Sequence, residues 1–250
     1  MRIVVIVALL TSLTGVSRAD VLELEPFLRS AEAASLVTVP LRADGEMIVN
    51  SGSGEIRASL ALIIRPPADS YIELRNPGEK ALVLSTGQAQ IFTPGASKAG
   101  DFPLAASFAG SDFSREDLEP FRTARYKDWR ISDEDAATVM VTFYPKDSQY
   151  SLVVITFDRD KKVPLKTQYY RETGSNLVKM RRDNNYVMVG RKWMPTAISM
   201  ESFKLRTRSE LTLQWSQNPT FPPELFDAAF LARPSLIQWP AAVPAGATGK

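Results

Sequence analysis

The sequence predicts a mainly β protein of the α+β class, built as one curved antiparallel sheet with a few short helices against its concave face. Three observations lead there. Short runs place apolar residues at every second position, as at Ile56, Ala58, Leu60, Leu62 and Ile64. Turn residues punctuate such runs at intervals of about ten residues. Helical spacing of apolar residues, by contrast, occurs only in brief stretches.

The first segment, Met1 to Ala19, has an early cation at Arg2, an apolar run from Ile3 to Leu13, and small residues at Ser17 and Ala19 flanking Arg18. This is the pattern of a secretory signal peptide cleaved after Ala19, with an apolar run about half of the ~20 residues that span a bilayer. With no cysteine near the cut to carry a lipid, a soluble periplasmic protein is expected. Removing Arg2 and Arg18 takes Lys+Arg from 30 to 28 against 28 Asp+Glu, so the remaining chain is formally neutral. Nothing in that balance favours nucleic acid as a partner. The chain has no cysteine, so its stability must come from burial. Residues 20–232 are long enough for one such domain, and 233–250, with Pro234, Pro240 and Pro244, reads as a loose tail.

Within the domain, Asp20 to Ala34 places Leu24, Phe27, Leu28 and Ala31 on one helical face. Strands follow at Ile56 to Ile64, Tyr71 to Arg75, Ala81 to Leu84 and Gln90 to Thr93, with Pro66-Pro67-Ala68-Asp69 and Asn76-Pro77-Gly78-Glu79 as turns. After a loop from Pro94 to Pro103, strands resume at Ala137 to Tyr144, Tyr150 to Phe157, Val163 to Arg171, Leu177 to Arg181, Lys192 to Phe203 and Leu205 to Trp215. Leu211, Leu213 and Trp215 share one face while Arg208, Glu210 and Gln214 take the other, so one face is covered and one wet. Strands adjacent in sequence mostly pair in space, and roughly ten of them curl rather than stay flat. Helices at Asp20 to Ala34, near Ser114, and at Pro223 to Leu231 are expected on the concave side.

The chain has no histidine, which removes Ser-His-Asp and Cys-His nucleophiles, HExxH zinc sites and the commonest general base. Ser51-Gly52-Ser53-Gly54 lacks the lysine of a phosphate loop and reads as a hairpin turn. Asp133-Glu134-Asp135 lacks the further oxygen ligands of a cation site and reads as a solvated turn. No metal, cofactor or catalytic residue is assigned; a carboxylate pair for glycoside chemistry follows no spacing rule and stays open.

GSDFSREDLEPF, Gly110 to Phe121, concentrates charge and so resembles a site. It parses as a helix start: Ser114 is the N-cap, Asp117 completes a capping box, Phe113 and Leu118 occupy the staple positions, and Pro120 ends the helix. A helix this short survives by docking Phe113, Leu118 and Phe121 on an apolar surface.

That segment also resembles the periplasmic outer membrane lipoprotein-sorting group, relatives of the lipoprotein carrier LolA. Supporting features follow in order: Arg57 to Arg65 before Pro66-Pro67, then Tyr144-Pro145, Phe157-Asp158, Val163-Pro164, Thr173-Gly174, Trp193-Met194-Pro195 and Phe230. The group usually has a Trp/Tyr-rich segment where this chain has Leu82-Val83-Leu84 and Gln90 to Pro94. The resemblance implies an incomplete β-barrel, a half-pipe with helices over its concave face, that carries acyl chains of lipids or lipoproteins. The reading is therefore a non-enzymatic periplasmic carrier or chaperone. Its expected apolar cavity is lined by Leu60, Leu62, Ile64, Val139, Val141, Phe143, Leu211, Leu213 and Trp215, with Phe113, Leu118 and Phe121 on a lid helix. An inner-membrane transporter or exporter is the expected protein partner. The alternative is an accessory or scaffold protein that docks on such an exporter and carries nothing, its concave face filled by its own side chains.

Overall fold

The computed structural model describes residues 23–51, 54–172, 174–235, 237 and 239. Met1 to Ala19 and most of the tail lie outside the described residues. Those described form a single antiparallel sheet of thirteen strands, three more than the roughly ten expected. Two meanders compose it. One contains β1 (Leu41–Ser51), β2 (Gly54–Arg65), β3 (Asp69–Leu74), β4 (Lys80–Val83), β5 (Ala89–Phe92) and β6 (Gly100–Asp101). The other contains β7 (Tyr126–Glu134), β8 (Thr138–Pro145), β9 (Leu152–Asp158), β10 (Pro164–Arg171), β11 (Asn176–Val189), β12 (Lys192–Ser202) and β13 (Thr207–Gln217).

The meanders join through their outermost members in sequence. β1 pairs with β13 from Leu41↔Gln217 to Asn50↔Arg208, which places β6 at one edge of the sheet and β7 at the other. β1 was not anticipated, although Leu41, Ala43, Met47 and Val49 alternate inward. Gly45 interrupts that pattern for a steric reason: an added Cβ would lie 1.8 Å from the Thr212 carbonyl oxygen of β13. β7 was missed because an edge strand keeps its charges, and its mostly exposed YKDWRISDE has no clean apolar period.

Two apolar clusters occupy the concave face. Helix α1 (Leu24–Ser35) lies over the β7–β10 side with Phe27, Leu28 and Ala31 buried, and Phe27 meets Phe157 edge-on at 5.7 Å between centroids. The second cluster lies over β1–β5 around Leu60, Leu74, Val83 and Leu213, closed by Phe102 and Phe108.

A third cluster corrects two expectations. In β2, Leu60 faces the concave side, so Ala61 and Ile63 face the other way, yet both are buried. They are covered by Leu225 and Phe226 of a short 3-10 turn, Pro223–Phe226, and by Leu231 just after a second, Ala228–Phe230, not by a helix on the concave side. The Arg65 guanidinium sits 4.3 Å above the Phe226 ring, and Ile237 and Trp239 continue the cover. β3 and β4 are consequently buried at every position, not half-wet.

Candidate functional site

Because β6 and β7 lie at opposite edges, residues 102–125 have to cross the concave face. A segment that crosses a core has no strand ladder for its backbone, so its polar groups need other partners. Some are internal: Phe108 N–H donates to the Phe113 carbonyl at 2.9 Å, Arg115 N–H to Ala106 at 3.0 Å, and Glu116 N–H to Leu104 at 3.1 Å. Others come from the β3–β4 connection and α1, as where Ala109 N–H donates to Glu79 and the Ser35 hydroxyl donates to the Phe121 carbonyl, and others again involve the residues of GSDFSREDL.

Helix α2 (Arg115–Leu118) starts at Ser114 with the expected capping box, and Asp117 Oδ2 accepts from Ser114 N–H at 2.8 Å and from its hydroxyl at 2.6 Å. The acids are not the solvated start of a helix, however. The Asp117 side chain is 0% exposed, and it also accepts from Lys179 Nζ at 3.0 Å and from Tyr150 hydroxyl at 3.1 Å. Asp112 is buried against β13, where it accepts from Thr207 and Ser209 hydroxyls, and its own N–H donates to Ser209 Oγ at 2.8 Å. Lys179 Nζ donates to the Asp112 carbonyl at 2.7 Å and Arg181 Nη1 to the Asp117 carbonyl at 2.7 Å, so β11 holds both ends of the motif. Buried charges persist only when paired and hydrogen-bonded. The motif thus sews the crossing strap to the sheet.

Burial shifts several of these groups. It raises Glu116, although the Ser148 hydroxyl and the Arg125 guanidinium oppose it. It likewise raises the Tyr150 hydroxyl, with the Asp117 charge acting in the same direction. Burial, the largest influence, pulls Arg181 down, but the Asp183 carboxylate together with Tyr169 and Tyr186 more than offsets it and the net direction is up. Arg181 Nε lies 3.0 Å from both Asp183 oxygens, a two-pronged contact made possible because residues i and i+2 share a strand face.

Beside the strap lies a cavity of about 280 Å³. Its sheet wall includes Leu60, Leu62 and Ile64 of β2 and Leu211, Leu213 and Trp215 of β13, six of the nine strand residues expected to face inward. Phe113, Leu118 and Phe121 line it from the strap. Trp215 presents its ring there while its indole N–H donates to the Pro195 carbonyl at 2.8 Å. Val139, Val141 and Phe143 do not reach the cavity; they are fully buried in the first cluster. The reason is Phe121, whose ring packs on Phe143 at 5.5 Å and on Phe157 at 5.3 Å, sealing that part of the sheet beneath it.

Other wall residues were not anticipated. Met47 comes from the missed strand β1, Phe108 from the strap ahead of GSDFSREDL, and Trp193 and Ile198 from β12. Beside them on β10 and β11, Thr167, Arg181, Asp183 and Tyr186 make a polar stretch of the wall, Asp183 pairing in register with Ile198. The alternation of Arg181 with Asp183 was the available sequence signal for that wall. Glu116, Asp117 and Glu119 also touch the cavity, each in an ion pair, to Arg125, Lys179 and Arg115 respectively. Among the described residues, no group of three or more His, Cys, Asp or Glu is placed to hold a metal ion.

A family model described as "Uncharacterized protein" matches residues 72–233, more than half of the chain. No curated protein matches the sequence. Among solved structures, an outer membrane lipoprotein-sorting protein domain from Vibrio parahaemolyticus superposes with a TM-score of 0.75 at 17% identity, covering 83% of this chain and 97% of that one. A DUF1329 family protein from Desulfovibrio piger gives 0.72 at 18% identity over 82% and 96%. A LolA superfamily protein from Nitrosomonas europaea gives 0.64 at 17% identity over 81% and 96%. At such identities the likeness is one of fold. The chain belongs to the family whose model matches residues 72–233, and it has the LolA-like fold.

Proposed function

We propose that this protein is a periplasmic carrier that shields an acyl chain of a lipid or lipoprotein in the cavity beside the strap. The observation that carries the reading is the apolar wall contributed jointly by β2, β13 and the strap, open over a volume of about 280 Å³. A methylene group occupies close to the ~30 Å³ share of a water molecule, so the cavity accepts roughly nine methylenes. At ~0.8 kcal/mol each the gross gain is about 7 kcal/mol, and association costs at least ~4. Binding of one chain is therefore weak and reversible, as suits a protein that must release its cargo. The ion-paired carboxylates of the cavity wall serve to anchor the strap in this reading, and no catalytic role is assigned. Delivery to or from an inner-membrane exporter belongs to the same proposal.

The test is native mass spectrometry of the purified chain for co-purified lipid, together with titration of a fluorescent fatty acid. Uptake that weakens in Leu62→Trp, a change that fills the cavity without opening the core, supports the carrier. A folded protein that holds no lipid and takes up no probe rules it out.

A further inference from the structure

The cavity has a rim whose composition differs from the rest of the surface. Two turns form it at one end of the sheet: residues 159–163 between β9 and β10, and the hairpin joining β11 to β12. They are tied together by the Tyr186 hydroxyl, which donates to the Pro164 carbonyl, and by Lys161 Nζ lying 5.4 Å from the Trp193 ring centroid. Lys162, Val163, Pro164, Tyr186 and Trp193 all line the cavity, so these turns are its mouth.

At this mouth the hairpin displays Val187 at 40% and Met188 at 54% exposure, two of five large apolar side chains that stay exposed among the described residues. Gly190 fixes the hairpin's position: its φ is +54°, and an added Cβ would lie 2.8 Å from Val39 Cγ2. The seated turn thus fixes the hairpin tip, from whose two faces the adjacent Val187 and Met188 side chains emerge.

Charge surrounds that pair. Arg159 is committed to Glu134 at 2.6 Å and Lys161 to Asp158 at 2.8 Å. What remains is Lys162, Arg191 and Lys192 against Asp160, a local positive excess on a chain whose total is only +2. Arg191 is exposed at the hairpin tip, while Lys192 is tethered beside it by a bond from Nζ to the Ala33 carbonyl at 2.6 Å.

Exposed apolar side chains ringed by lysine and arginine match a surface that offers both hydrocarbon and negative charge. We infer that the β11–β12 hairpin and its neighbouring turn dock the cavity mouth on a bilayer carrying anionic headgroups. This inference rests on the carrier reading for its purpose, because it places the mouth where an acyl chain leaves the membrane. Its evidence is separate: the exposed apolar pair, the charge excess and the turn geometry. Another exposed apolar tip, Phe203 and Leu205 between β12 and β13, lies at the opposite end of the sheet and does not line the cavity. It serves as an internal comparison.

The experiment is flotation of the full chain with phosphatidylcholine vesicles, with and without phosphatidylglycerol, over a salt series. Fatty-acid uptake is measured in parallel without vesicles. Binding should require phosphatidylglycerol and weaken with salt. Each charge near such a surface is worth about fivefold in partitioning, so Arg191→Glu should weaken binding roughly 25-fold. The double change Val187→Ser/Met188→Ser should also weaken it, with probe uptake unchanged in both variants. Vesicle binding by a protein that takes up no probe would uphold the docking surface while removing the carrier reading. Three results overturn the docking surface: no binding to anionic vesicles, binding indifferent to Arg191→Glu and to the apolar pair, or binding lost only in Phe203→Ser/Leu205→Ser.

Discussion

Asp117→Asn is the most searching perturbation of the strap. The change keeps the shape of the side chain but removes its charge and turns one acceptor oxygen into a donor. The buried carboxylate now serves Lys179 at 3.0 Å, Tyr150 at 3.1 Å and both donors of Ser114. After substitution, the Lys179 ammonium, with a side chain only 16% exposed, loses its counter-charge and is left with neutral acceptors, the Asp112 carbonyl at 2.7 Å among them. Removing one partner of a buried pair costs about 3–5 kcal/mol; the retained carbonyl and partial exposure place this case near ~3. In a chain of this length that lowers Tm by roughly 6–12 °C. Urea unfolding with linear extrapolation measures it, and Lys179→Met completes a double-mutant cycle. Lys179→Met alone should cost less, since Asp117 keeps its Ser114 and Tyr150 donors. The double variant should be more stable than the sum of the singles predicts by at least about 1 kcal/mol. If Asp117→Asn stays within about 1 kcal/mol of the parent, or if the singles add to within ~0.5 kcal/mol, the pair does not anchor the strap.

Ser114→Ala should lower stability by about 1–2 kcal/mol, because it removes the helix cap and a buried hydroxyl. Phe113→Asp, in a residue that belongs to the core and lines the cavity, should abolish probe uptake in whatever fraction folds; normal uptake by a folded variant would remove Phe113 from the binding wall. Burial raises Glu79, whose carboxylate accepts from Ala109 N–H at 2.5 Å. Its folded form therefore holds a proton more tightly than its unfolded form, so this contribution to stability is complete below the ordinary carboxylate range and is lost as pH rises through the raised value. Glu79→Gln should flatten that fall in a pH series of urea midpoints, and an unchanged slope would assign the fall elsewhere. For saturated fatty acids of increasing length, affinity should rise about fourfold per methylene and level off once roughly nine are buried, given the ~30 Å³ each occupies. A rise that continues unbroken to long chains would mean a larger cavity than the one described.

The alternation of β2 and β13 was legible because each strand has one consistently apolar face on the cavity, Leu60-x-Leu62-x-Ile64 and Leu211-x-Leu213-x-Trp215. Three kinds of position hid the rest. Gly45 broke the period of β1 because two backbones come too close there for any side chain. Ala61 and Ile63, apolar on the supposedly wet face, were the sign that β2 is covered on both sides; they were overlooked because the covering residues, Leu225, Phe226 and Leu231, lie far away in sequence. The acids of GSDFSREDL satisfied a local rule for helix starts, and a local rule cannot show that Lys179, Thr207 and Ser209 await them on other strands. The capping box is real, but it is one part of a longer-range network.

The position of the cavity follows from the sheet's topology. Pairing β1 with β13 sends the ends of the two meanders to opposite edges, so 102–125 must span the concave face. Over β8, α1 and Phe121 close the space, and Val139, Val141 and Phe143 become core. Toward β2 and β13 the same strap brings Phe108 and Phe113 over the sheet, and the 280 Å³ lies between them and α1, whose small Ala31 and Ala34 border it. The network through Asp112 and Asp117 fixes the height of the strap above the sheet, and hence the volume left beneath it. The motif that resembled an active site therefore bears on function through spacing: its charges hold apart the two apolar surfaces between which a guest would sit.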